Sequence, residues 1–317
     1  MTRLRLVFFG TPDFAVPALR ALLASAHPVV GVITQPDRPR GRGQRVAESP
    51  VKHVAAEAGL PVLQPDRLKD DGFLHAFRAW RADLGVVAAY GKILPGVVLD
   101  TPPLGLVNVH ASLLPRYRGA APVHRAVMDG EAETGVSIMQ VVQALDAGGV
   151  FATARRLIRP DETSTEVEAD LARLGATILL PTIDAIATGA ATCVAQDEAQ
   201  ATYAPRLQKH EGAIDWSESA TSIHNRVRGL QPWPMASSWL SGRRLILVQT
   251  SVHDPVLASG SPPGTILEAR GGRMLVQAGL GVVALLRVQS EGRRAMAVRD
   301  YLAGRAVQPG AAFTASV

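Results

Sequence analysis

Apolar runs alternate with amphipathic stretches through the first 110 residues. The runs predict strands at 4–9, 29–34, 61–63, 84–89 and 105–110, and the stretches between them predict helices near 14–24, 50–58 and 71–79. Such alternation is typical of βαβ units, so we predict an α/β domain with a mostly parallel sheet and helices on both faces. Ligands of such sheets bind at the carboxyl ends of the strands, where Gly10, Tyr90 and His110 fall.

The pattern changes in the second half of the chain. A strand at 150–158 and an amphipathic helix at 164–188 precede a stretch that is rich in small residues. Beyond it, a helix near 219–229 and short β-like pieces separated by Pro and Gly predict a small barrel. The pieces lie at 239–240, 244–248, 264–268, 274–278 and 282–288. We therefore predict a catalytic domain at 1–189, a linker at 190–206 and a second domain at 207–317.

Length and composition fit two globular domains. The chain has 317 residues, of which 47% are hydrophobic and 19% charged. Its one cysteine, Cys193, allows no internal disulfide and no zinc-binding spacing, which suits a reducing cytosol. Asp13 interrupts the first apolar stretch and Lys92 the run 84–99, so neither predicts a signal peptide or a membrane span. We expect a cytoplasmic monomer without membrane association.

Positive charge is concentrated toward the carboxyl end. From Arg206 onward there are 13 Lys and Arg against 7 Asp and Glu, while the whole chain carries a net charge of +5. A basic module beside a nearly neutral one favours a polyanionic partner, held by one domain and processed by the other. A solvated basic surface explains the same count, and charge alone leaves both interpretations open.

Three polar residues form the candidate chemistry. Asn108 and His110 are two positions apart at the end of a predicted strand, so their side chains share a face. Asp146 follows in a turn bounded by Gly148 and Gly149. An amide, an imidazole and a carboxylate suit acyl transfer to an amine, because they can support an oxyanion and remove a proton. The alternative is that Asn108 caps the strand and His110 is a satisfied core histidine.

Several longer motifs follow one another along the chain. They are FGTPDF (9–14), TQPDRP (34–39), SPVK (49–52), AYGKILP (89–95), NVHASLLPRYRGAAP (108–122), ETGVSIM (133–139), IDW (214–216), PWP (232–234) and PGTI (263–266). Together they resemble the methionyl-tRNA formyltransferase family of folate-dependent enzymes over essentially the whole chain.

The resemblance implies a Rossmann-like formyltransferase domain and an OB-like C-terminal barrel that binds tRNA. It implies transfer of the formyl group of 10-formyltetrahydrofolate, the formyl-donor co-substrate, to the α-amino group of methionine on initiator methionyl-tRNA. The product is N-formylmethionyl-tRNA for translation initiation. Formyl transfer needs no metal, and none is expected.

The resemblance also assigns residues. Asn108, His110 and Asp146 match the catalytic residues, with Asn108 and His110 as donors to the oxyanion and Asp146 as acceptor of the amine proton and holder of the His110 tautomer. The residues that match the folate-contacting segments are Tyr90, Gly91, Ile93, Leu94, Ser112, Leu113, Leu114 and Pro115.

An arginine-rich loop matches the family's contact with the tRNA acceptor stem. Its arginines are Arg38, Arg40, Arg42 and Arg45. Arginine side chains suit contacts with phosphates and base edges, and we expect Arg42, between two glycines, to be the main contact. Pro and Gly predict a loop outside regular structure, and a solvated turn is the alternative.

Two departures from the family pattern concern the catalytic segment. Ala111 stands where the family usually has Gly, which we expect to be tolerated if the backbone there does not need a positive φ. Gly149 stands where the family usually has Asp, which leaves the rigidity of the Asp146 turn open.

Three rival functions are considered. Another folate formyltransferase, acting on glycinamide ribonucleotide or an amino sugar, would share the three catalytic residues but would not explain the arginine loop or the basic second domain. A dinucleotide-dependent oxidoreductase is disfavoured because the first strand lacks G-x-G-x-x-G. A non-catalytic RNA-binding module is disfavoured by the intact Asn, His and Asp set.

Overall fold

The structure is a computed structural model that describes residues 3–40 and 45–314, with residues 39, 40, 45 and 46 described by their backbone alone. The helices within these residues are α1 (Val16–Leu23), α2 (Pro50–Glu57), α3 (Asp71–Ala79), α4 (Gly96–Leu99), α5 (Pro122–Met128), α6 (Ser164–Thr188), α7 (Ala220–Gly229) and α8 (Val298–Ala303).

The strands fall into an N-terminal and a C-terminal set. The first set is β1 (Leu6–Gly10), β2 (Val29–Ile33), β3 (Arg38–Arg40), β4 (Arg45–Ala47), β5 (Val62–Leu63), β6 (Leu84–Ala88), β7 (Leu106–His110), β8 (Arg118–Gly119), β9 (Glu133–Gln140), β10 (Val150–Leu157) and β11 (Tyr203–Ala204). The second is β12 (Ala236–Leu240), β13 (Arg243–Asp254), β14 (Ile266–Arg270), β15 (Arg273–Gln277), β16 (Val282–Ser290), β17 (Met296–Ala297) and β18 (Phe313–Thr314).

The main sheet of the N-terminal set has the order β10-β9-β7-β6-β1-β2-β5. Strands β7, β6, β1, β2 and β5 run parallel to one another, and β9 is antiparallel to β7. All five residues of β1 and all five of β6 are buried, as their unbroken apolar sequences predict. The predicted α/β domain with a mostly parallel, Rossmann-like sheet is therefore confirmed.

One face of this sheet packs against α3. The Phe9 ring of β1 meets the Phe77 ring of α3 edge to face, with centroids 5.7 Å apart. Burying an aromatic side chain of this size contributes about 1.5–3 kcal/mol to folding. Phe73, Leu74 and Phe77 recur at helical spacing and are all buried, which explains why the amphipathic pattern predicts this helix correctly.

The second sheet curls into a barrel. Its antiparallel order is β14-β15-β16-β13-β12-β18, with β17 added to β16. The ends of the sheet meet where Ile266 N–H donates to the Ala311 carbonyl (2.8 Å) and Gly310 N–H donates to the Ile266 carbonyl (2.8 Å). Inside, the rings of Trp216 and Phe313 stack 5.2 Å apart. The predicted OB-like barrel is thereby confirmed.

By internal contacts the chain divides into two compact units. The first comprises Met1–Pro122, Thr134–Arg156 and Glu168–Ala204, and the second comprises Val123–Glu133, Leu157–Val167 and Pro205–Val317. Two stretches of the predicted catalytic domain thus group with the barrel, whereas the predicted boundaries treat each domain as one continuous segment. As limits of separate domains, 1–189, 190–206 and 207–317 stay a prediction.

Several described elements differ from the sequence-based expectation, among them the ribbon of β3 and β4 and strand β9. Residues 38–40 and 45–47 pair as an antiparallel ribbon, so the expectation of an irregular arginine loop is wrong at its base. Pro39 is compatible with this pairing because a two-stranded ribbon has a free edge that needs no N–H donor. The sequence pattern does not predict strand β9, because polar residues that turn out to be buried, Thr134 and Ser137, interrupt its apolar run.

Among the described helices, α6 is long and apolar enough to cross a membrane. A core helix of a water-soluble protein meets the same criterion, and Leu171, Leu179 and Ile183 of this helix are buried. The finding therefore adds no support for a membrane association.

In the second unit, burial favours the neutral form of two histidines, His124 and His224. His224 of α7 donates from Nε2 to the Pro160 carbonyl (3.0 Å) and accepts at Nδ1 from the Thr250 hydroxyl (3.0 Å). Burial lowers the pKa of His224 and also that of His124. Protonation of either ring is therefore harder in the folded chain than in the unfolded one.

Lowering the pH from about 7.5 to about 5.5 should lower the melting temperature. The unfolded chain takes up protons as the pH falls through the ordinary histidine pKa of about 6.5, whereas the folded chain does not until a lower pH. Stability is thus complete above about pH 6.5 and declines below it. Melting curves of the protein and of His224→Gln across this range test this, and an equal decline in both would contradict the role of His224.

Candidate active site

Strand β7 brings Asn108 and His110 to one face of the main sheet. Asn108 lies opposite Val87 of β6 and Met139 of β9, and His110 lies opposite Ser137 at the end of the strand. Asn108 is half-buried, whereas the other four residues of β7 are buried. The strand period that predicts this juxtaposition is therefore present, and the amide is the strand's accessible polar group.

The His110 ring is fixed from two sides. Its Nε2 lies 3.0 Å from the Tyr117 carbonyl oxygen, which can only accept, so Nε2 carries a hydrogen. Its Nδ1 faces Oδ2 of Asp146 at 3.7 Å, a distance suited to an ion pair and longer than a hydrogen bond. The carbonyl of Tyr117, and not Asp146 as the sequence suggests, therefore sets the tautomer. The imidazole and acid predicted from sequence do come together.

Asp146 is held in an uncommon backbone conformation. Its φ is +48°, a left-handed value that few non-glycine residues adopt. The Gly119 N–H donates to Oδ2 (2.8 Å), and Nε2 of Gln196 donates to the carbonyls of Asp146 (2.8 Å) and Gly148 (2.7 Å). A carboxylate oriented in this way keeps one oxygen toward the imidazole and is about 15% exposed.

The structure accounts for both departures from the family pattern. Ala111 does not have a positive φ, so its methyl group adds no backbone strain. A Cβ on Gly149 would lie 2.4 Å from Sγ of Cys193, so the space of the usual Asp side chain is taken by this thiol. The turn around Asp146 is nevertheless tied down, by Gln196, without a side chain at 149.

The predicted folate segment that begins at Ser112 forms a fixed turn. Ser112 is buried and its hydroxyl donates to the Arg116 carbonyl (2.6 Å). From β9, the Ser137 hydroxyl donates to the Ser112 carbonyl (2.7 Å) and accepts from the Leu114 N–H (3.2 Å). The turn is therefore anchored to the sheet beside His110, and the Leu114–Pro115 bond within it is cis.

The second predicted folate segment is only partly accessible. Tyr90 is 2% exposed and meets the Phe9 ring edge to face, so its ring belongs to the core and offers no wall to a ligand. Burial raises the pKa of Tyr90 to about 12. Its carbonyl accepts from Nε2 of Gln35 (2.8 Å), and a Cβ on Gly91 would lie 2.7 Å from the same nitrogen.

Farther along this segment, side chains line an open cleft of about 650 Å³. Ile93 is 83% exposed and Leu94 is buried, and both line the cleft together with Gln143 of the Asp146 turn. The lining is largely apolar and includes Gln143, three positions before Asp146. Small-molecule sites combine apolar walls with a few polar groups in this way. Within this segment, Ile93 is thus exposed in the cleft and the buried Leu94 lies in its wall, whereas the Tyr90 ring does not line it.

The resemblance assigns four arginines to tRNA binding, and the structure describes the side chain of one of them. Arg38 is exposed at the start of β3. Arg42 lies outside the described residues, and so do the side chains of Arg40 and Arg45. The base of the ribbon is held by a residue that the sequence does not single out, Lys52, whose Nζ pairs with Asp37 (2.5 Å) and Glu48 (3.0 Å).

These two acids flank the ribbon, one before β3 and one after β4. The hydrogen bond from Lys52, followed by that from Gln64, lowers the pKa of Asp37, so the ion pair persists at neutral pH. Glu48 and Lys52 are four residues apart, and opposite charges at this spacing often pair. This spacing is the sequence signal for the role of Lys52.

The fold is that of a formyltransferase. Residues 4–183 match the formyl transferase family, and residues 206–306 match the formyl transferase C-terminal domain. The crystal structure of an N-formyltransferase from Helicobacter canadensis in complex with folinic acid and dTDP-3-aminofucose superimposes with a TM-score of 0.67 at 15% identity, over 90% of this chain and 99% of that one. At this identity the likeness concerns the fold alone.

Full-length relatives narrow the class. A methionyl-tRNA formyltransferase from Desulfotalea psychrophila is 46% identical over 301 residues, 95% of this chain and 93% of the relative. Another, from Moorella thermoacetica, is 47% identical over 97% of this chain and 98% of the relative. The chain belongs to the methionyl-tRNA formyltransferase family.

Proposed function

We propose that the protein transfers the formyl group of 10-formyltetrahydrofolate to the α-amino group of methionine on initiator methionyl-tRNA. The observation that carries this proposal is the meeting of His110 and Asp146, 3.7 Å apart, beside Asn108 in a chain 46–47% identical to enzymes of that name. Sugar N-formyltransferases share the fold, so the fold alone does not distinguish the acceptor.

The donor is proposed to bind between the two predicted folate segments. Ile93 and Leu94 supply the apolar lining of the open cleft, and the turn Ser112 to Pro115 supplies fixed main-chain groups. Polar contacts from a rigid turn combined with apolar walls suit a flat pterin ring. No metal is required for formyl transfer, and we propose that none takes part.

The proposed chemistry begins with attack of the neutral amine on the formyl carbon. An N–C bond forms, the negative charge moves to the formyl oxygen, and the carbon–N10 bond of the donor then breaks. The Asn108 amide donates a hydrogen bond to that oxygen. Asp146 accepts the proton that the amine loses, and this proton is then passed to N10 of the donor as N10 departs.

His110 has a narrower role than an oxyanion donor. Its Nε2 hydrogen is committed to the Tyr117 carbonyl, so only Nδ1 faces Asp146. A neutral ring of this tautomer accepts at Nδ1, and a protonated ring donates there. We propose that Nδ1 can take over the proton gained by Asp146, which leaves an imidazolium as the counter-ion of the Asp146 carboxylate.

The tRNA is proposed to contact the arginine-rich loop and the barrel. Exposed arginines of the barrel supply positive charge for phosphates. They are Arg243, Arg270, Arg273, Arg287, Arg293, Arg294 and Arg299. We further propose that the enzyme is a cytoplasmic monomer, in keeping with its role in translation.

A transformylation assay tests the function. Purified protein with 10-formyltetrahydrofolate should formylate initiator methionyl-tRNA and discriminate against elongator methionyl-tRNA. Glycinamide ribonucleotide and a nucleotide-linked amino sugar serve as alternative acceptors. Preference for either small amine over methionyl-tRNA would overturn the proposal in favour of another folate formyltransferase.

Replacing Arg42 by Ala should raise the KM for methionyl-tRNA. If Arg42 neutralises one phosphate, the slope of log affinity against log salt concentration should fall by about one unit. The KM for the folate donor should stay unchanged. Arg67→Ala, at an exposed arginine outside the ribbon, is the matched control. An unchanged KM for tRNA in the Arg42 variant would contradict a tRNA contact by this residue and favour the alternative of a solvated turn.

A further inference from the structure

A fully buried arginine lies directly behind the catalytic acid. Arg118 is 1% exposed and precedes Gly119, whose N–H binds Asp146. Its Nη1 and Nη2 donate to the two carboxylate oxygens of Glu198 (2.9 and 2.7 Å). Pairing of this kind allows the guanidinium to be buried, because an unpaired buried charge is strongly disfavoured. The Glu198 side chain itself is 68% exposed.

The second partner of Arg118 is Gln196. Nε and Nη2 of Arg118 donate to Oε1 of Gln196 at 3.1 and 2.9 Å. With its oxygen committed to the guanidinium, the Gln196 amide can point only its nitrogen toward the catalytic turn, where it donates to the carbonyls of Asp146 and Gly148. Arg118 therefore fixes the orientation in which Gln196 holds the turn.

The same segment also supports His110. Arg118 and Gly119 pair as strand β8 with Tyr203 and Ala204 of β11. The Tyr117 N–H donates to the Thr202 hydroxyl (2.8 Å), and the Tyr117 carbonyl accepts from His110. Consecutive residues 117–119 thus contact both members of the acid–imidazole pair, and they are backed by Gln196, Glu198 and residues 202–204.

We propose that Gln196, oriented by Arg118, is a positioning residue that holds Asp146 in its left-handed conformation with the carboxylate toward His110. The stretch 190–206, which the sequence predicts to be a linker, then includes a part of the active-site support. This inference rests on the proposed function of Asp146 as the proton acceptor. A carboxylate that is free to turn away from the imidazole accepts the proton less often in the reactive geometry.

Gln196→Glu is the most direct test. The variant has the same size and still pairs with Arg118, but a carboxylate cannot donate to the two carbonyls and repels them. We expect kcat to fall by about 10²-fold while the KM values for methionyl-tRNA and folate change less than about twofold. Gln200→Glu, the same change at an exposed position of the same segment, should leave kcat and KM unchanged. Gln196→Met, which lacks the donor without adding charge, replaces the glutamate variant if that variant does not fold.

A double-mutant cycle separates positioning from a general structural effect. In an Asp146→Asn background, Gln196→Glu should lower single-turnover rates by less than about twofold, because the group it positions no longer accepts a proton. An undiminished kcat in the single variant, a loss confined to KM, or the same 10²-fold loss in both backgrounds would each overturn the inference.

The proposed function and this inference fail in different ways. If wild-type protein formylates a small amine and not methionyl-tRNA, the function is wrong, and the cycle is then run on that amine with the same expectations. If wild-type protein formylates methionyl-tRNA and the Gln196 variants match it, the function stands and the positioning role is wrong.

Discussion

Replacing Asp146 by Asn is expected to lower kcat by about 10²–10⁴-fold while binding of the folate donor is retained. The Asn amide oxygen can still accept from the Gly119 N–H, and the main-chain bonds from Gln196 remain, so the turn keeps its shape. What is lost is an acceptor for the amine proton at neutral pH.

Single-turnover formylation and equilibrium folate binding, measured on the same preparation, check this expectation. Asp100→Asn, at an exposed acid of the same unit, is the matched control and should retain full activity. Turnover close to that of the wild type in the Asp146 variant would show that the acid is structural and that the proton leaves by another route.

Replacing Asn108 by Ala is expected to lower kcat by about 10²–10³-fold, the usual effect of removing one donor to a developing oxyanion. The side chain is the accessible polar group of β7, and its removal leaves the buried strand residues in place. Because the hydrogen bond strengthens as charge develops, kcat and kcat/KM should fall together while the KM for tRNA stays nearly constant.

Asn108→Asp distinguishes this donor role from a packing role. It preserves the shape of the side chain but places a carboxylate beside the formyl oxygen, so its kcat should be at least as low as that of the Ala variant. Recovery of activity in the Asp variant would indicate that volume at this position, and not the N–H donor, is what the reaction needs.

The elements that sequence predicts well are those with local causes. Strand β1 and helix α3 are specified by apolar runs and by helical spacing, and α6 by an apolar stripe with Glu166 in its first turn. Asn108 and His110 fall on one face through the strand period alone. That Asp146 reaches His110 follows from the resemblance to known motifs, since no local pattern links the two positions.

The parts that sequence does not predict depend on distant partners. Gln196 contacts Asp146 across 50 positions and Arg118 across 78, and both bonds come from side chains in a stretch that reads as linker. The resemblance assigns Tyr90 to a folate-contacting segment, but packing against Phe9 directs its ring into the core. The hydrophobic periodicity of the sequence predicts neither the contacts of Gln196 nor the orientation of the Tyr90 ring.

The closure of the barrel by residues near 310 affects the order in which the two units can fold during synthesis on the ribosome. Ile266 finds its partners at Gly310 and Ala311, so this unit cannot complete its ring of strands until residues near 310 have emerged. Strands β1, β2, β5, β6 and β7 all precede residue 111 and can assemble long before that. Vectorial synthesis therefore favours maturation of the α/β unit first, with the barrel closing as a late event.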